Sequence, residues 1–171
     1  MFTSQVLKEN EPQLVRKIYD KSKEYKNVVD LTLGDPDIPT PDSVKDAANE
    51  ALAQNKTKYT ANAGILELRH AISDDVFKRT GLRYTENEIA VTAGAMGALY
   101  LSSVCILNPG DEVIILEPHW PNYTNMVKMC RAVPRYVSFM GEGALDHLAE
   151  NIEKTINEKT KVIIINSPSN P

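Results

Sequence analysis

The chain has 171 residues, 42% of them hydrophobic and 25% charged, with a formal net charge of −4 and a pI of about 5.4, which is room for one domain with a real core. No basic block offers nucleic acid an electrostatic footprint, no apolar stretch is long enough to span a bilayer, and residues 1–13 carry no signal-peptide pattern. The two cysteines, Cys105 and Cys130, stand among apolar residues on predicted helices and read as buried free thiols in a reducing, cytoplasmic setting.

The first helix is predicted over residues 13–25, with Leu14, Val15, Ile18 and Tyr19 on one face. Residues 28–33 read as a short extended segment, stopped by the breaker-rich loop 34–41. Asp42 is placed as the N-cap of a helix whose apolar stripe is Val44, Ala47, Ala48, Ala51 and Leu52. A polar loop with Asn62 and Gly64 leads to a helix marked by Ile65, Leu68, Ile72 and Val76, with Gly81 positioned to end it.

From Ile89 the pattern changes. Residues 89–92 read as a strand, Gly94 opens a helix through Leu107, and 108–111 is a turn. A second strand at 113–116, a helix at 121–131 and a third strand at 135–139 follow. A helix marked by Leu145, Leu148, Ile152 and Ile156 then leads to a fourth strand at 161–165. Strands alternating with helices imply crossovers and a largely parallel sheet with flanking helices. The apolar runs at 113–116 and 162–165 do not alternate, which predicts strands covered on both faces. No internal repeat interrupts this order. The last residues, 167–171, stand just past the fourth strand, where a ligand site belongs in an open α/β sheet, so a truncated product is the expectation.

Three loops carry the candidate chemistry. In Thr92-Ala93-Gly94-Ala95-Met96-Gly97 a strand ends and a helix begins, so unpaired N–H groups at the positive end of the dipole can hold a phosphate. The pattern is neither G-x-G-x-x-G nor a P-loop, and a glycine that merely eases helix–strand packing accounts for it equally well. Trp120, the one tryptophan, follows the second strand, where its face can stack on a planar ring or cap the sheet as core. His119 beside it reads as surface or structural. Asn170, past the fourth strand, can donate to a ring oxygen or simply serve the turn before Pro171. Together the loops suit a planar aromatic phosphate.

These residues, in order and spacing, resemble the class I/II pyridoxal-phosphate-dependent aminotransferases of fold type I, the aspartate aminotransferase group. The signatures are Gly34-Asp35-Pro36-Asp37, Lys58-Tyr59-Thr60 with Gly64 and Leu68-Arg69, the run from Thr92 to Leu99, Pro109-Gly110-Asp111-Glu112-Val113, Pro118-His119-Trp120-Pro121-Asn122-Tyr123, and Asn166-Ser167-Pro168-Ser169-Asn170-Pro171. The resemblance implies an N-terminal arm and small-domain segment at 1–41 and an incomplete large cofactor-binding α/β domain at 42–171. It implies that Gly34 lies against the substrate carboxylate and that Tyr59 reaches the cofactor phosphate of a partner subunit. It also implies that Gly94, Ala95 and Met96 cradle the phosphate, that Trp120 stacks on the pyridine ring, and that Asn170 bonds its 3-oxygen. Many members of the family have a hydroxyl residue in that cradle; here none of the three has one.

The Schiff-base lysine, the aspartate facing the pyridine nitrogen and the arginine gripping the substrate carboxylate would all lie beyond Pro171. No catalytic residue is therefore expected within the chain, and no metal. The implied activity is transfer of an amino group between an amino acid and a 2-oxo acid by a homodimer, in amino-acid metabolism, without nucleic-acid or membrane partners. A carbon–sulfur lyase or cyclising synthase of the same fold shares every motif. A non-catalytic regulator would need a DNA-binding unit in front, and residues 1–25 offer one helix and no helix-turn-helix.

Overall fold

The computed structural model describes residues 2–9, 14–31, 34 and 36–169. Its sheet has three parallel strands in the order β2-β1-β3, with β1 at Glu112–Glu117, β2 at Val133–Ser138 and β3 at Thr160–Ile164. This is the parallel α/β architecture that the alternation of elements implies. β1 pairs with β2 from Glu112↔Val133 to Glu117↔Ser138 and with β3 from Glu112↔Thr160 to Ile115↔Ile164, with an irregularity after Glu112.

Helix α6 (Asn122–Met129) joins β1 to β2, and α7 (Leu148–Thr155) joins β2 to β3. The first crossover moves away from β1 and the second returns across it. Right-handed crossovers in opposite directions put their helices on opposite faces. The packing agrees: Val113 and Ile115 cluster with Tyr123, Met126 and Val127 of α6, whereas Ile114, Leu116 and Val137 pack with Leu148 and Ile152 of α7. β1 is thus covered on both faces, and Val113, Ile114 and Ile115 are completely buried, as the unbroken apolar run predicts.

β3 corrects the same expectation for 162–165. Its residues alternate between half-buried and exposed, and Ile165 just past it is 66% exposed. α7 packs over β2, on the far side of β1, so it leaves Ile163 uncovered. β2 is the other edge, where Pro134 is tolerated because an outer strand can spare a donor. The predicted strand at 89–92 is corrected as well. Ile89 is extended, but Val91 N–H donates to the Ala63 carbonyl in a loop, and the segment joins no ladder among the described residues.

Among the described residues, five α-helices and a short 3-10 turn (Glu86–Glu88) precede the sheet: α1 (Gln5–Glu9), α2 (Leu14–Ser22), α3 (Asp42–Ala53), α4 (Leu66–Thr80) and α5 (Gly94–Ile106). Asp42 is the first helical residue rather than the N-cap; Pro41 holds that position without a side-chain bond. Asp42 instead places negative charge in the first turn, where the helix dipole favours it, and pairs with Lys45. Gly81 ends α4 in the left-handed conformation at φ 75°, with its N–H on the Phe77 carbonyl, as predicted. Residues 28–31 form no strand, and Gln13, Thr32, Leu33 and Asp35 lie outside the described residues.

The thiols are free, but Cys105 is exposed and Cys130 half-buried, which corrects the buried reading. α5 is apolar on every side and packs on only one of them, so Cys105 lies outward. Burial pushes the Cys130 thiol up from its ordinary value. The chain resolves into two units, one of Met1–Lys26 with Met96–Pro171 and one of Asn27–Ala95. The first holds the sheet and both apolar clusters.

Candidate active site

The turn before α5 is built by Thr92 and Gly94. The Gly94 N–H donates to the Thr92 carbonyl (2.8 Å), and the Thr92 hydroxyl donates to the Gly94 carbonyl (2.9 Å). Gly94 sits at φ 72°, a conformation open to glycine, with no atom within 4 Å of where a Cβ would be. Its own N–H is therefore already engaged. The N–H groups of Ala95 and Met96 belong to the first helical turn, where no carbonyl lies one turn back to accept them. No acidic side chain occupies that turn, so nothing there opposes an anion. The only donors these three residues bring are backbone ones.

The carboxyl end of β1 leads through a cis Glu117–Pro118 peptide to His119 and Trp120. Trp120 is half-buried and meets Tyr123 edge-on, with ring centroids 5.6 Å apart at 86°. Its carbonyl accepts the Tyr123 N–H at 3.1 Å and lies 2.9 Å from His119 Nδ1. The imidazole stacks on Tyr136 at 5.6 Å and 7°, and Thr124 Oγ1 stands 3.3 Å from its Nε2 and 3.0 Å from the Tyr136 hydroxyl. Glu117 approaches Nε2 at 4.0 Å. Beside them, past the ends of β1 and β3, a cavity of about 20 Å³ has His119, Asn166 and Ser169 as its polar lining. It has room for about one water. Asn170 lies outside the described residues.

Tyr59 is fully exposed on the loop between α3 and α4, and Gly34 is exposed with open space around it. That loop is anchored by a residue whose role sequence reasoning missed. Arg69, half-buried on α4, donates through Nε to the Gly64 carbonyl (3.2 Å) and through Nη1 to the Glu86 carbonyl (2.6 Å). The one signal for it is an arginine five residues after a loop glycine. Thr124 and Tyr136 were missed too. The Thr124 contact with His119 and the Tyr136 stack on its ring each cross from one element to another, so no local pattern marks them. Gly34, Tyr59, Gly94 and Ala95 fall in the Asn27–Ala95 unit, and Met96 and Trp120 in the other.

The family model described as "Aminotransferase class I and II" matches residues 26–171. The chain belongs to that family. Among its relatives, a probable aspartate/prephenate aminotransferase of Thermus aquaticus is 43% identical over 145 residues, covering 85% of this chain and 38% of the relative. An aspartate aminotransferase of Bacillus sp. (strain YM-2) is 41% identical over 164 residues, covering 94% and 42%. The solved aspartate aminotransferase from Rhizobium meliloti superimposes on the whole chain with a TM-score of 0.91 at 34% identity, over 44% of its own length. The Thermus thermophilus enzyme with maleate gives 0.88 at 36%, over 46%. The chain thus spans about two fifths of the aminotransferases it matches, and its helices and sheet are the corresponding part of their fold.

Proposed function

We propose that the chain contributes to a pyridoxal-phosphate-dependent aminotransferase that moves an amino group between an amino acid and a 2-oxo acid. Aspartate is the donor suggested by the relatives' names. The observation that carries this reading is the family match over residues 26–171 together with superposition of the whole chain on solved aspartate aminotransferases. The residues present suit the cofactor: a positive-φ glycine with an open Cβ position, two first-turn N–H groups unopposed by acidic side chains, and one half-buried indole past the end of a central strand.

In this reading the N–H groups of Ala95 and Met96, with Gly94 giving access, hold the phosphate. Trp120 stacks on the ring, Asn170 donates to its 3-oxygen, and Gly34 lies against the substrate carboxylate. Tyr59, fully exposed, reaches the phosphate in a neighbouring subunit of a homodimer. Residues 1–41 act as an arm and small-domain segment, and 42–171 as part of the large domain. When bound, the cofactor supplies the electron sink for amino transfer. Two free thiols accord with a reducing cytoplasm.

The 171 residues alone should hold the cofactor weakly. A stacked ring pair contributes about 0.5–1.5 kcal/mol beyond area burial and a charge-linked hydrogen bond about 1.5–3 kcal/mol, against an association cost of at least ~4 kcal/mol. Titration with pyridoxal phosphate, followed by Trp120 fluorescence, should give reversible quenching that inorganic phosphate competes away. The same chain should transfer no amino group from aspartate. Absence of any quenching, or amino transfer above a buffer control, would defeat the reading.

A further inference from the structure

We propose that His119 is a positioning residue for Trp120. The imidazole pins the Trp120 carbonyl from one side while Tyr123 pins it from the other, so that the indole is held in one orientation past the end of β1.

For a neutral imidazole the contacts set the direction of every bond. A carbonyl oxygen only accepts, so at 2.9 Å from the Trp120 carbonyl His119 Nδ1 must carry the proton. In the neutral ring Nε2 is then an acceptor, and the Thr124 hydroxyl at 3.3 Å donates to it. The lone pairs of the same hydroxyl accept the Tyr136 O–H at 3.0 Å. The chain runs Tyr136 to Thr124 to His119 to the Trp120 carbonyl, each group donating onward, and it selects one tautomer. The ring plane is fixed independently by the near-parallel stack on Tyr136. Only 14% of the His119 side chain is exposed, so water competes poorly for either nitrogen. The Trp120 carbonyl also accepts the Tyr123 N–H, which fills both of its lone pairs. The Tyr123 ring meets the indole edge-on, and the three supports come from α6, β2 and the loop itself.

The importance of this for catalysis rests on the proposed role of Trp120 as the ring-stacking residue; the positioning itself does not. The test therefore uses the unligated 171-residue chain, in which Trp120 is the sole tryptophan. Acrylamide quenching and fluorescence anisotropy are read alongside far-ultraviolet circular dichroism. His119→Phe keeps a plate against Tyr136 but donates nothing. Losing one hydrogen bond lowers the fixed-to-free ratio of the loop roughly fivefold, so quenching should rise and anisotropy fall. His119→Asn restores a donor near the Nδ1 position and should recover most of the wild-type signal. Wild-type quenching in His119→Phe, or no recovery in His119→Asn, overturns the proposal. If His119→Phe loses its circular dichroism, Tyr136→Phe carries the test. It removes one hydroxyl from the head of the chain and keeps the stack, so a small rise in quenching supports the proposal and no change overturns it. A normal result here with no response to pyridoxal phosphate would sink the cofactor reading and leave the positioning intact.

Discussion

Glu112 is 4% exposed at the start of β1, yet it is charged. Arg135 Nη2 donates to one carboxylate oxygen at 2.6 Å and Asn157 Nδ2 to the other at 2.9 Å. The Arg135 hydrogen bond first, then that from Asn157, hold its carboxyl down to about 2 from 4.5, against the opposing effect of burial. A carboxyl depressed in the folded state stabilises the fold fully above its unfolded value and ceases to do so as pH falls through its folded value. The window is therefore pH 4.5 down to about 2. Glu112→Gln should lower the urea midpoint at pH 7 and flatten its dependence on pH within that window; an unchanged slope would refute the assignment. Gly64 is a second case. It sits at φ +95°, and an added Cβ would fall 2.6 Å from Val91 Cγ2. Gly64→Ala combines a left-handed backbone penalty with overpacking and should cost about 2–4 kcal/mol in urea denaturation. Gly64 is visible in the sequence as a loop glycine. The reason it must be glycine lies 27 positions away, at Val91, and no local pattern shows it.

Helix α5 is apolar on every side, the composition of a helix covered all round. In this chain it is covered on one side only: Leu101 is 53% exposed, and Val104 and Ile106 are similar. Leu101→Lys should therefore change stability by no more than ~0.5 kcal/mol, since lysine and leucine have similar helix propensity. It should also reduce self-association seen by sedimentation velocity. A loss of several kcal/mol would mean that Leu101 is packed. Elements whose signals are local were legible: the stripes of α3 and α4, the glycine that ends α4, and the buried run of β1. β3 has the same apolar run as β1, but its position at the sheet edge is decided by where α7 lands, which is a tertiary fact. Residues 89–92 have strand composition and lack only a neighbour. Asp42 falls one position inside the helix rather than capping it because Pro41, with its fixed φ, also suits the approach to a helix. In the candidate site, the Gly94 turn and Trp120 stood out by residue type, whereas Thr124 and Tyr136 became visible only once α6 and β2 were placed beside His119.

At the scale of the whole chain, burial is uneven. Both apolar clusters lie in the unit of Met1–Lys26 with Met96–Pro171, and the largest fully buried side chains among the described residues are Val113, Ile114, Ile115 and Val127. In Asn27–Ala95 the one buried residue among those described is Ser73, whose hydroxyl donates to the Tyr84 carbonyl. That unit is held by polar links, Arg69 to Gly64 and Glu86 and Arg83 to Asp74, and by caps such as Thr85 with Glu88. Exposed ion pairs contribute little, about 0–1 kcal/mol each, and burial of apolar surface is the dominant favourable contribution to folding. The two units should accordingly open at different free energies. Native-state hydrogen exchange should show the amides of β1 as the last to exchange. Those of α3 and α4 should exchange through a smaller opening that lacks the full denaturant dependence of the β1 amides. If α4 amides are instead protected to the same free energy as β1, with the same denaturant slope, then residues 27–95 unfold only with the sheet. Their stability would then come from contacts other than their own core. The comparison is sharpest at Ile72 in α4 against Ile115 in β1, because both are aliphatic positions inside regular structure and only the second is fully buried.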